Sequence, residues 1–331
     1  MGARHVSCLN TGRHQVILPF GRRRGRVLAR LTAVALATTL AGSAAATALA
    51  DSPTPSDASR LAAVATPDRG TAASGTVYNT PFFFVLDGVE RDGSLFMYAP
   101  DRTGDFGPRD KIFDGDDIGD FKYLKAAAQV DNDKDGYGDA TYYWMNDGKL
   151  SFTYTGADGM VKTRRIGGGW QIYSKVLSPG NVAGAKESDI LAVDKAGVLW
   201  LYLARPDGTV TPRVRVGAGW GGYTQLAGQG DLTGDGRADL VARDKAGVLW
   251  LYKGTGNATS PFAARKKIGG GWNGYNYLHS SGDVNRDGIA DLLARAGNGT
   301  LYIYRGTGKE SAPYAKPVKA HGSFGSYRLM F

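Results

Sequence analysis

Three stretches of the chain share one nine-residue pattern of oxygen-bearing side chains. They are DNDKDGYGD at 131–139, DLTGDGRAD at 231–239 and DVNRDGIAD at 283–291. In each stretch, Asp, Asn or Thr stands at positions 1, 3, 5 and 9, and glycine stands at position 6. Alternate positions of a tight loop point inward, so this spacing gathers several oxygens around one point. The pattern therefore indicates a site for a hard cation, with the glycine permitting the sharp turn.

Calcium is the cation that suits this set of donors. It takes about six to eight oxygen ligands at about 2.3–2.6 Å, and a backbone carbonyl at position 7 of the loop can be one of them. We expect three structural calcium sites with these ligands: Asp131, Asp133, Asp135, Tyr137 and Asp139; Asp231, Thr233, Asp235, Arg237 and Asp239; and Asp283, Asn285, Asp287, Ile289 and Asp291. Tyr137, Arg237 and Ile289 would each contribute only a carbonyl oxygen.

Two other interpretations of these loops are available. An EF-hand requires a bidentate glutamate at position 12 and flanking helices, whereas position 12 is Tyr142, Ala242 or Ala294 and strand-like sequence flanks the loops. This excludes the EF-hand. Ordinary turns rich in Asp and Gly are the second interpretation, but three spaced copies with four oxygens each favour a metal.

The loops belong to a longer repeat, which must supply the elements that position them. A glycine turn followed by an apolar strand recurs with its leucine at Leu95, Leu150, Leu199, Leu249 and Leu301, a period of about 50 residues. Each repeat divides into about four short strands rich in Val, Leu, Ile, Trp and Tyr. One such sheet cannot bury both faces alone. The sequence therefore predicts an all-β propeller of four-stranded blades, most simply five, with six or seven as alternatives.

The repeats divide the chain into a leader, a linker and a ring. We expect an export signal at 1–50, a flexible linker at 51–76 that is rich in Pro, Ser, Ala and Thr, and a propeller at 77–331. The five repeats of the propeller are 77–130, 131–180, 181–230, 231–282 and 283–331. The first opens on the strand that follows the loop, and the last ends on the strand that precedes it. We therefore expect the ring to close head to tail.

Residues 1–50 have the features of an export signal. A basic stretch, GRRRGRVLAR, precedes an uncharged stretch, and Ala48 and Ala50 give the pattern that signal peptidase recognises before Asp51. An uncleaved membrane anchor is the alternative, since 31–50 carries no charge, but its many small residues make it weakly apolar. We expect a secreted, extracellular bacterial protein with no membrane span after cleavage. The signal at 1–50 is compatible with either Sec or twin-arginine export.

Charge and cysteine content exclude several classes of protein. The net charge is +9, but seven of the 40 basic residues lie within 1–50, which contains no acidic residue, and 31 acidic residues nearly balance the rest. The charge therefore gives no reason to expect a nucleic-acid partner. The single cysteine, Cys8, also lies within 1–50. The mature chain is thus neither a disulfide scaffold nor a thiol enzyme, and a large core or bound metal must stabilise it.

Two of the repeats resemble a known family. GDLTGDGRADLVARDKAGVLWLYKGTG at 230–256 is similar to the FG-GAP/VCBS-type repeat, the calcium-loop blade also found in integrin α-subunit propellers. GDVNRDGIADLLARAGNGTLYIYRGTG at 282–308 resembles it almost as well. The resemblance is strong over 131–331 and weak over 77–130. It implies a calcium ion between strands of a blade at each of the three complete loops.

The loop at 181–189 departs from the family pattern. Asn181, Ala183 and Ala185 replace acidic or polar ligands, and only Asp189 remains. We expect no metal in this loop, and we carry the family's ligands over only to the three complete copies.

A glycine-rich turn with an aromatic pair is a second marker of the repeats. Three copies hold Trp170 with Tyr173, Trp220 with Tyr223, and Trp272 with Tyr275. Aromatic rings on loops can stack on sugars, and in blade count and aromatic content the chain is similar to five-bladed tachylectin-like lectins. We favour the other interpretation, in which each Trp is wedged between adjacent blades, because large aromatic side chains are usually buried.

We expect a binding or scaffold module rather than an enzyme. Beyond residue 50 the chain has two histidines, His279 and His321, and neither lies near a G-x-S-x-G nucleophile motif. The chain also lacks H-E-x-x-H, P-loop and dinucleotide-binding motifs. The expected partner is an extracellular glycan or protein. The alternatives are a lectin with aromatic sugar pockets between blades and a secreted propeller hydrolase or lyase.

Overall fold

The computed structural model describes residues 84–101, 103–115, 121–131, 138–156, 158–184 and 187–331. The expected export signal, the linker and residues 77–83 of the first repeat lie outside these residues. Among the described residues, no helix combines the length and the apolar character needed to cross a bilayer.

The described residues form twenty strands in five antiparallel sheets of four strands each. This confirms the prediction of an all-β propeller with five four-stranded blades. The strands are β1 Leu86–Val89, β2 Leu95–Tyr98, β3 Asp110–Phe113, β4 Leu124–Val130, β5 Ala140–Met145, β6 Leu150–Thr155, β7 Val161–Gly167, β8 Tyr173–Gly180, β9 Asp189–Asp194, β10 Leu199–Tyr202, β11 Val214–Gly217, β12 Tyr223–Ala227, β13 Leu240–Asp244, β14 Leu249–Tyr252, β15 Lys266–Gly269, β16 Tyr275–His279, β17 Leu292–Ala296, β18 Leu301–Tyr304, β19 Val318–Lys319 and β20 Leu329–Met330.

The innermost strands of the five blades are β4, β8, β12, β16 and β20. Within the blades the strand orders are β20-β1-β2-β3, β4 to β7, β8 to β11, β12 to β15 and β16 to β19. The innermost strands of neighbouring blades contact one another: β8 contacts β4 and β12, and β12 contacts β16. Each blade therefore takes its innermost strand from the end of one sequence repeat and its other strands from the next repeat, which interlocks the repeats around the ring.

The ring closes between the two ends of the propeller. Strand β20 pairs with β1 through Met330 opposite Gly88 and Leu329 opposite Val89. Asp87 and Phe331 add two backbone hydrogen bonds, of 2.7 and 3.0 Å. The predicted head-to-tail closure is confirmed.

The core is divided into five apolar clusters, one at each interface between neighbouring blades. Strand β14 shows why the repeated VLWLY sequence is apolar on both faces. Leu249 and Leu251 belong to the cluster shared with the following blade, whereas Trp250 and Tyr252 pack on the cluster shared with the preceding blade. Successive side chains of a strand point to opposite faces, so one strand contributes to two interfaces.

Buried arginines fasten neighbouring blades to each other. Arg243 of β13 donates to the carbonyl oxygen of Trp272 in the next blade, at 2.9 Å. Arg295 of β17 likewise donates to the carbonyl oxygens of Phe324, at 3.0 Å, and Tyr327, at 2.6 Å. Each guanidinium thus pairs with backbone carbonyls at the turn before the next innermost strand and links two blades.

Candidate metal-binding loops

The aspartate loops occupy equivalent places in four blades. Each connects the innermost strand of its blade to the second strand, as 231–239 does between β12 and β13 and 283–291 does between β16 and β17. Because the innermost strands run in the same direction, these loops lie together at one end of the ring. Neighbouring loops are also bonded directly, since the backbone N–H of Ala290 donates to the carbonyl oxygen of Asp231 at 2.8 Å.

Asp231, at position 1 of its loop, organises the loop's own backbone. Its Oδ1 accepts hydrogen bonds from the N–H groups of Thr233, at 3.0 Å, and Gly234, at 2.7 Å, and its Oδ2 accepts one from Gly236, at 2.6 Å. Gly234 makes this possible by adopting a left-handed conformation with φ of 76°. At the same position of the loop at 283–291, Arg286 adopts φ of 63°, so both loops turn in the same way.

The aspartate at position 9 ties each loop to its own blade. Asp239 is 2% exposed, and its Oδ2 accepts hydrogen bonds from the N–H groups of Leu232, at 3.1 Å, and Thr233, at 2.9 Å. Its Oδ1 accepts a third, from Gly254 beyond β14, at 2.9 Å. Burial raises the pKa of Asp239 to about 6, although these hydrogen bonds lower it, and repulsion from the Asp231 carboxylate adds to the increase.

The loop at 283–291 buries two carboxylates. Asp283 and Asp291 are each 2% exposed, and in the described part of the chain neither forms an ion pair with a cationic side chain. Asp283 accepts hydrogen bonds from the N–H groups of Asp287, at 3.1 Å, and Gly288, at 2.7 Å. Burial raises the pKa of Asp291 to about 7, and repulsion from Asp283 contributes. Two buried like charges in one loop create a strong demand for a cation.

The donors at positions 3 and 5 lie nearer the solvent. Asp235 is exposed and has Lys253 Nζ at 3.3 Å from its Oδ2, and Asn285 donates to the exposed Asp287 at 2.8 Å. Among the described residues, no group of three or more His, Cys, Asp or Glu side chains is placed to hold a metal ion. The set expected from the sequence is mixed, because it also uses Thr233, Asn285 and the carbonyls of Arg237 and Ile289. Its chemistry of hard oxygens fits calcium.

The loop at 131–139 is described only in part. Asp131 is 3% exposed, and the N–H of Asp139 donates to the carbonyl oxygen of Val130 at 3.2 Å. The predicted ligands Asp133, Asp135 and Tyr137 lie outside the described residues. The two ends of this loop therefore hold the same places in their blade as the ends of the other complete loops.

The incomplete loop at 181–189 lacks the metal-ligand pattern but still buries a carboxyl group. Asp189 is fully buried, and its Oδ2 accepts hydrogen bonds at 2.9 Å from the N–H groups of Val182 and Ala183. Its Oδ1 has no hydrogen-bond partner among the described residues. Burial raises the pKa of Asp189 to about 7, and repulsion from Glu187 adds to this.

Asp189 is expected to make the protein less stable as the pH rises. The folded chain keeps a proton on Asp189 that the unfolded chain releases above its ordinary pKa of 3.8. The free energy of unfolding should therefore fall through the range from about pH 4 to about pH 7 and then level off. Asp189→Asn keeps an acceptor for both N–H groups. Between pH 5 and pH 8, we expect the free energy of unfolding of this variant to fall by about 2 kcal/mol less than that of the wild type. Urea unfolding in EDTA at the two pH values measures this, and parallel pH profiles would contradict it.

The three turn tryptophans are wedged between blades. Trp170, Trp220 and Trp272 are 6%, 6% and 7% exposed. Each opens a 3₁₀ turn before an innermost strand, and the glycine ahead of it is left-handed, as Gly219 is with φ of 91°. Trp220 packs in one cluster with Leu191 of one blade and Leu240 of the next.

The tyrosines of these turns point their hydroxyl groups at a second tyrosine. Tyr223 is 5% exposed and its hydroxyl lies 2.5 Å from that of Tyr252. Tyr173 is 3% exposed and pairs with Tyr202 in the same way, whereas Tyr275 is half-buried and pairs with Tyr304. The wedge interpretation agrees with this burial, and the indole faces predicted as a possible sugar platform are covered by protein.

Two other tryptophans reach the surface and were not selected from the sequence. Trp200 and Trp250 are half-buried, and the guanidinium carbons of Arg213 and Arg265 each lie 4.1 Å from the centre of an indole ring. The indole N–H groups donate to Asp194 and Asp244, both at 2.9 Å. The repeated DKAGVLW sequence contains both the aspartate and the tryptophan, so it could have indicated this contact, whereas the arginine is the residue just before the next strand.

Comparison with known proteins supports the repeat pattern. Residues 231–294 match the model of the FG-GAP-like repeat, and no curated protein sequence shows a significant match to the chain. Among solved structures, yeast RCC1 (Prp20) bound to Kap60 is similar at 12% identity over 64% of this chain and 52% of that one, with a TM-score of 0.32.

Two further solved structures show a comparable level of similarity. Prp20p from Saccharomyces cerevisiae is 11% identical over 72% of this chain and 61% of that one, with a TM-score of 0.35. Human WBSCR16 is 9% identical over 68% and 60%, with a TM-score of 0.31. The chain thus spans between 52% and 61% of the length of these three solved proteins.

Proposed function

We propose that this chain, a five-bladed β-propeller of FG-GAP type, is a secreted binding or scaffold module whose loops use calcium as a structural brace. The propeller fold and its repeats support a binding or scaffold role in general. The observation that carries the calcium proposal is the pair of buried carboxylates of Asp283 and Asp291, which form no ion pair with any cationic side chain among the described residues. The ligand is an extracellular glycan or protein, and the chain itself is not catalytic.

Calcium at these loops would stabilise the contacts between blades. The loop at 231–239 is bonded to the loop at 283–291 through Asp231 and Ala290, so an ion held by either loop also fixes its neighbour. At a free calcium concentration of 100 times Kd, one site contributes about 2.7 kcal/mol if the unfolded chain does not bind the ion. This is a large share of the roughly 5–15 kcal/mol that stabilises a typical domain.

Substitution of Asp235 tests the proposed calcium site in the loop at 231–239. In EDTA, Asp235→Ala should unfold nearly as the wild type does, because its carboxylate is exposed and its ion pair with Lys253 contributes little. In saturating calcium, Asp235→Ala should be less stable than the wild type by up to about 2.7 kcal/mol. Thermal and urea unfolding with and without calcium measure both differences.

Asp207→Ala is the matched control for this test. Asp207 is an exposed turn aspartate that pairs with Arg164 and lies outside the nine-residue loops. We expect it to lower stability equally with and without calcium. An identical melting temperature of the wild type in calcium and in EDTA would overturn the proposal.

The proposed ligand class is tested by retention on insoluble material. Purified protein is incubated with insoluble polysaccharides and bacterial cell walls, in calcium and in EDTA, and the bound fraction is measured. Retention on one glycan that calcium increases would support the lectin form of the proposal. Retention on none of them would direct the search to a protein partner.

A further inference from the structure

The five innermost strands line a central cavity of about 300 Å³ that is open to solvent. All five blades contribute to its lining, for example through Lys125 of β4, Lys175 of β8, Gln225 of β12, Tyr277 of β16 and Arg328 just before β20. The cations lie at the start of these strands, next to the turns that carry Phe121, Trp170 and Phe324. The aspartate loops follow the other end of the same strands, so this cavity is separate from the proposed calcium sites.

The cavity is basic. Its lining contains Lys125, Lys175 and Arg328, and no Asp or Glu is among the described residues that line it. Cations gathered in a cavity without a counter-charge repel one another and lose hydration. Such an arrangement attracts a negatively charged ligand.

Two of the three cations are engaged by the protein backbone. Arg328 Nη1 donates to the carbonyl oxygen of Leu124 at 2.8 Å, and its Nη2 donates to that of Phe121. Lys125 Nζ donates to the carbonyl oxygen of Tyr173. These bonds fix both groups at interfaces between blades, but a carbonyl supplies no net negative charge.

Lys175 is the cation that is left over. Its ammonium group forms no hydrogen bond or ion pair with any described residue, although it lies in the same cavity. Burial lowers the pKa of Lys175 and of Arg328, and it lowers the pKa of Lys125 together with repulsion from Lys195. All three groups are thus in surroundings that do not fully compensate their charge.

We propose that this basic cavity binds an oxyanion, a carboxylate or phosphate group, with Lys175 as the main charged donor. Lys175 has donors to spare, and charge-assisted hydrogen bonds to an oxyanion are stronger than those between neutral groups. The inference rests on the proposed binding function and adds to it the place and the charge of the ligand. The two sources of such a group are an acidic sugar of a glycan and a phosphorylated molecule.

Isothermal titration of the full protein with three small probes tests the site. The probes are glucuronate, inorganic phosphate and glucose, each at low ionic strength so that the charge effect is not screened. We expect saturable binding of glucuronate or phosphate and none of glucose. Binding of glucuronate alone would indicate an acidic glycan, and binding of phosphate alone would indicate a phosphorylated ligand.

Lys175→Met and Lys267→Met separate the site from general charge. Lys267 is exposed on the outermost strand β15, so its loss removes the same charge away from the cavity. Lys175→Met should weaken binding about tenfold or more, and Lys267→Met should leave it unchanged. In buffer without oxyanions, Lys175→Met should melt at or above the wild-type temperature, because a half-buried charge with no partner among the described residues is removed.

Two results would overturn the inference. One is the absence of saturable binding by both anions, and the other is an equal loss of affinity in Lys175→Met and Lys267→Met. Neither result bears on the calcium sites, which are judged by the melting of Asp235→Ala. A calcium-dependent melt without anion binding would therefore refute this inference and leave the proposed brace intact.

Discussion

Deletion of Leu329–Phe331 is expected to open the ring and to cost several kcal/mol of stability. These three side chains are 9%, 2% and 3% exposed, and each buried apolar side chain of this size contributes about 1.5–3 kcal/mol. The deletion also removes strand β20 and its two register pairs with β1. The total is a large part of the roughly 5–15 kcal/mol that stabilises a domain.

The exposed edge of β1 should have a second effect. Without β20, the backbone N–H and C=O of Asp87 lose their hydrogen bonds to Phe331, and an unpaired strand edge promotes association between chains. We expect a lower urea midpoint by circular dichroism and a concentration-dependent increase in size by gel filtration.

Met330→Ala is the control for the deletion. It removes one buried side chain but keeps the backbone pairing of β20, so it should lower stability by only about 2–5 kcal/mol. The oligomeric state of the protein should not change. A shortened chain that unfolds at the urea concentration of the full chain would show that the closing strand does not stabilise the ring.

Trp220→Ala is expected to destabilise the protein by about 3–5 kcal/mol, the usual cost of emptying a buried aromatic site. The indole lies between two blades, 4.6 Å from the ring of Tyr252 and 5.5 Å from that of Tyr223 between centroids. Neighbouring blades are packed on both sides, so the cavity left by the substitution cannot collapse without moving a sheet. Urea unfolding followed by circular dichroism gives the change in free energy.

Met160→Ala serves as the matched control for Trp220→Ala. Met160 is 64% exposed, so its truncation should change stability by less than about 0.5 kcal/mol. If Trp220→Ala lost affinity for a glycan at unchanged stability, the wedge interpretation would be wrong and the sugar platform right.

The blades could be predicted from the sequence because each of the five must pack against a neighbour on both faces. A strand such as Leu249–Tyr252 must satisfy two interfaces at once, and this forces the same apolar sequence to recur. Head-to-tail closure followed from the same repetition, since FVLDG at 84–88 and SYRLMF at 326–331 are complementary parts of one blade.

The position-9 aspartates were predicted as ligands without any knowledge of their backbone partners. Sequence spacing places Asp239 in the loop, but the bond from Gly254 to its Oδ1 crosses to a residue that follows the third strand of the blade. Spacing within a loop cannot reveal a contact made outside it. The carboxylate of Asp239 therefore has a backbone role that the motif alone does not indicate.

The basic cavity could not be predicted because it depends on the positions at which the repeats differ. Lys125, Ser174, Thr224 and Arg328 occupy neighbouring places at the start of the innermost strands, yet they share no residue type. The repeat pattern indicates the blades but does not indicate these variable positions, which come together only in the closed ring.

Closure of the ring also has a consequence for the rate of folding. The hydroxyl groups of Tyr98 and Tyr327 meet at 2.8 Å although they are 229 residues apart in the sequence, whereas the strands of the other four blades pair with near neighbours along the chain. Contacts of high sequence separation form slowly, because the entropy of closing the loop must be overcome first. The blade that contains β1 should therefore form last, and rupture of that same blade should be the first step of a slow unfolding reaction that gives the propeller kinetic stability.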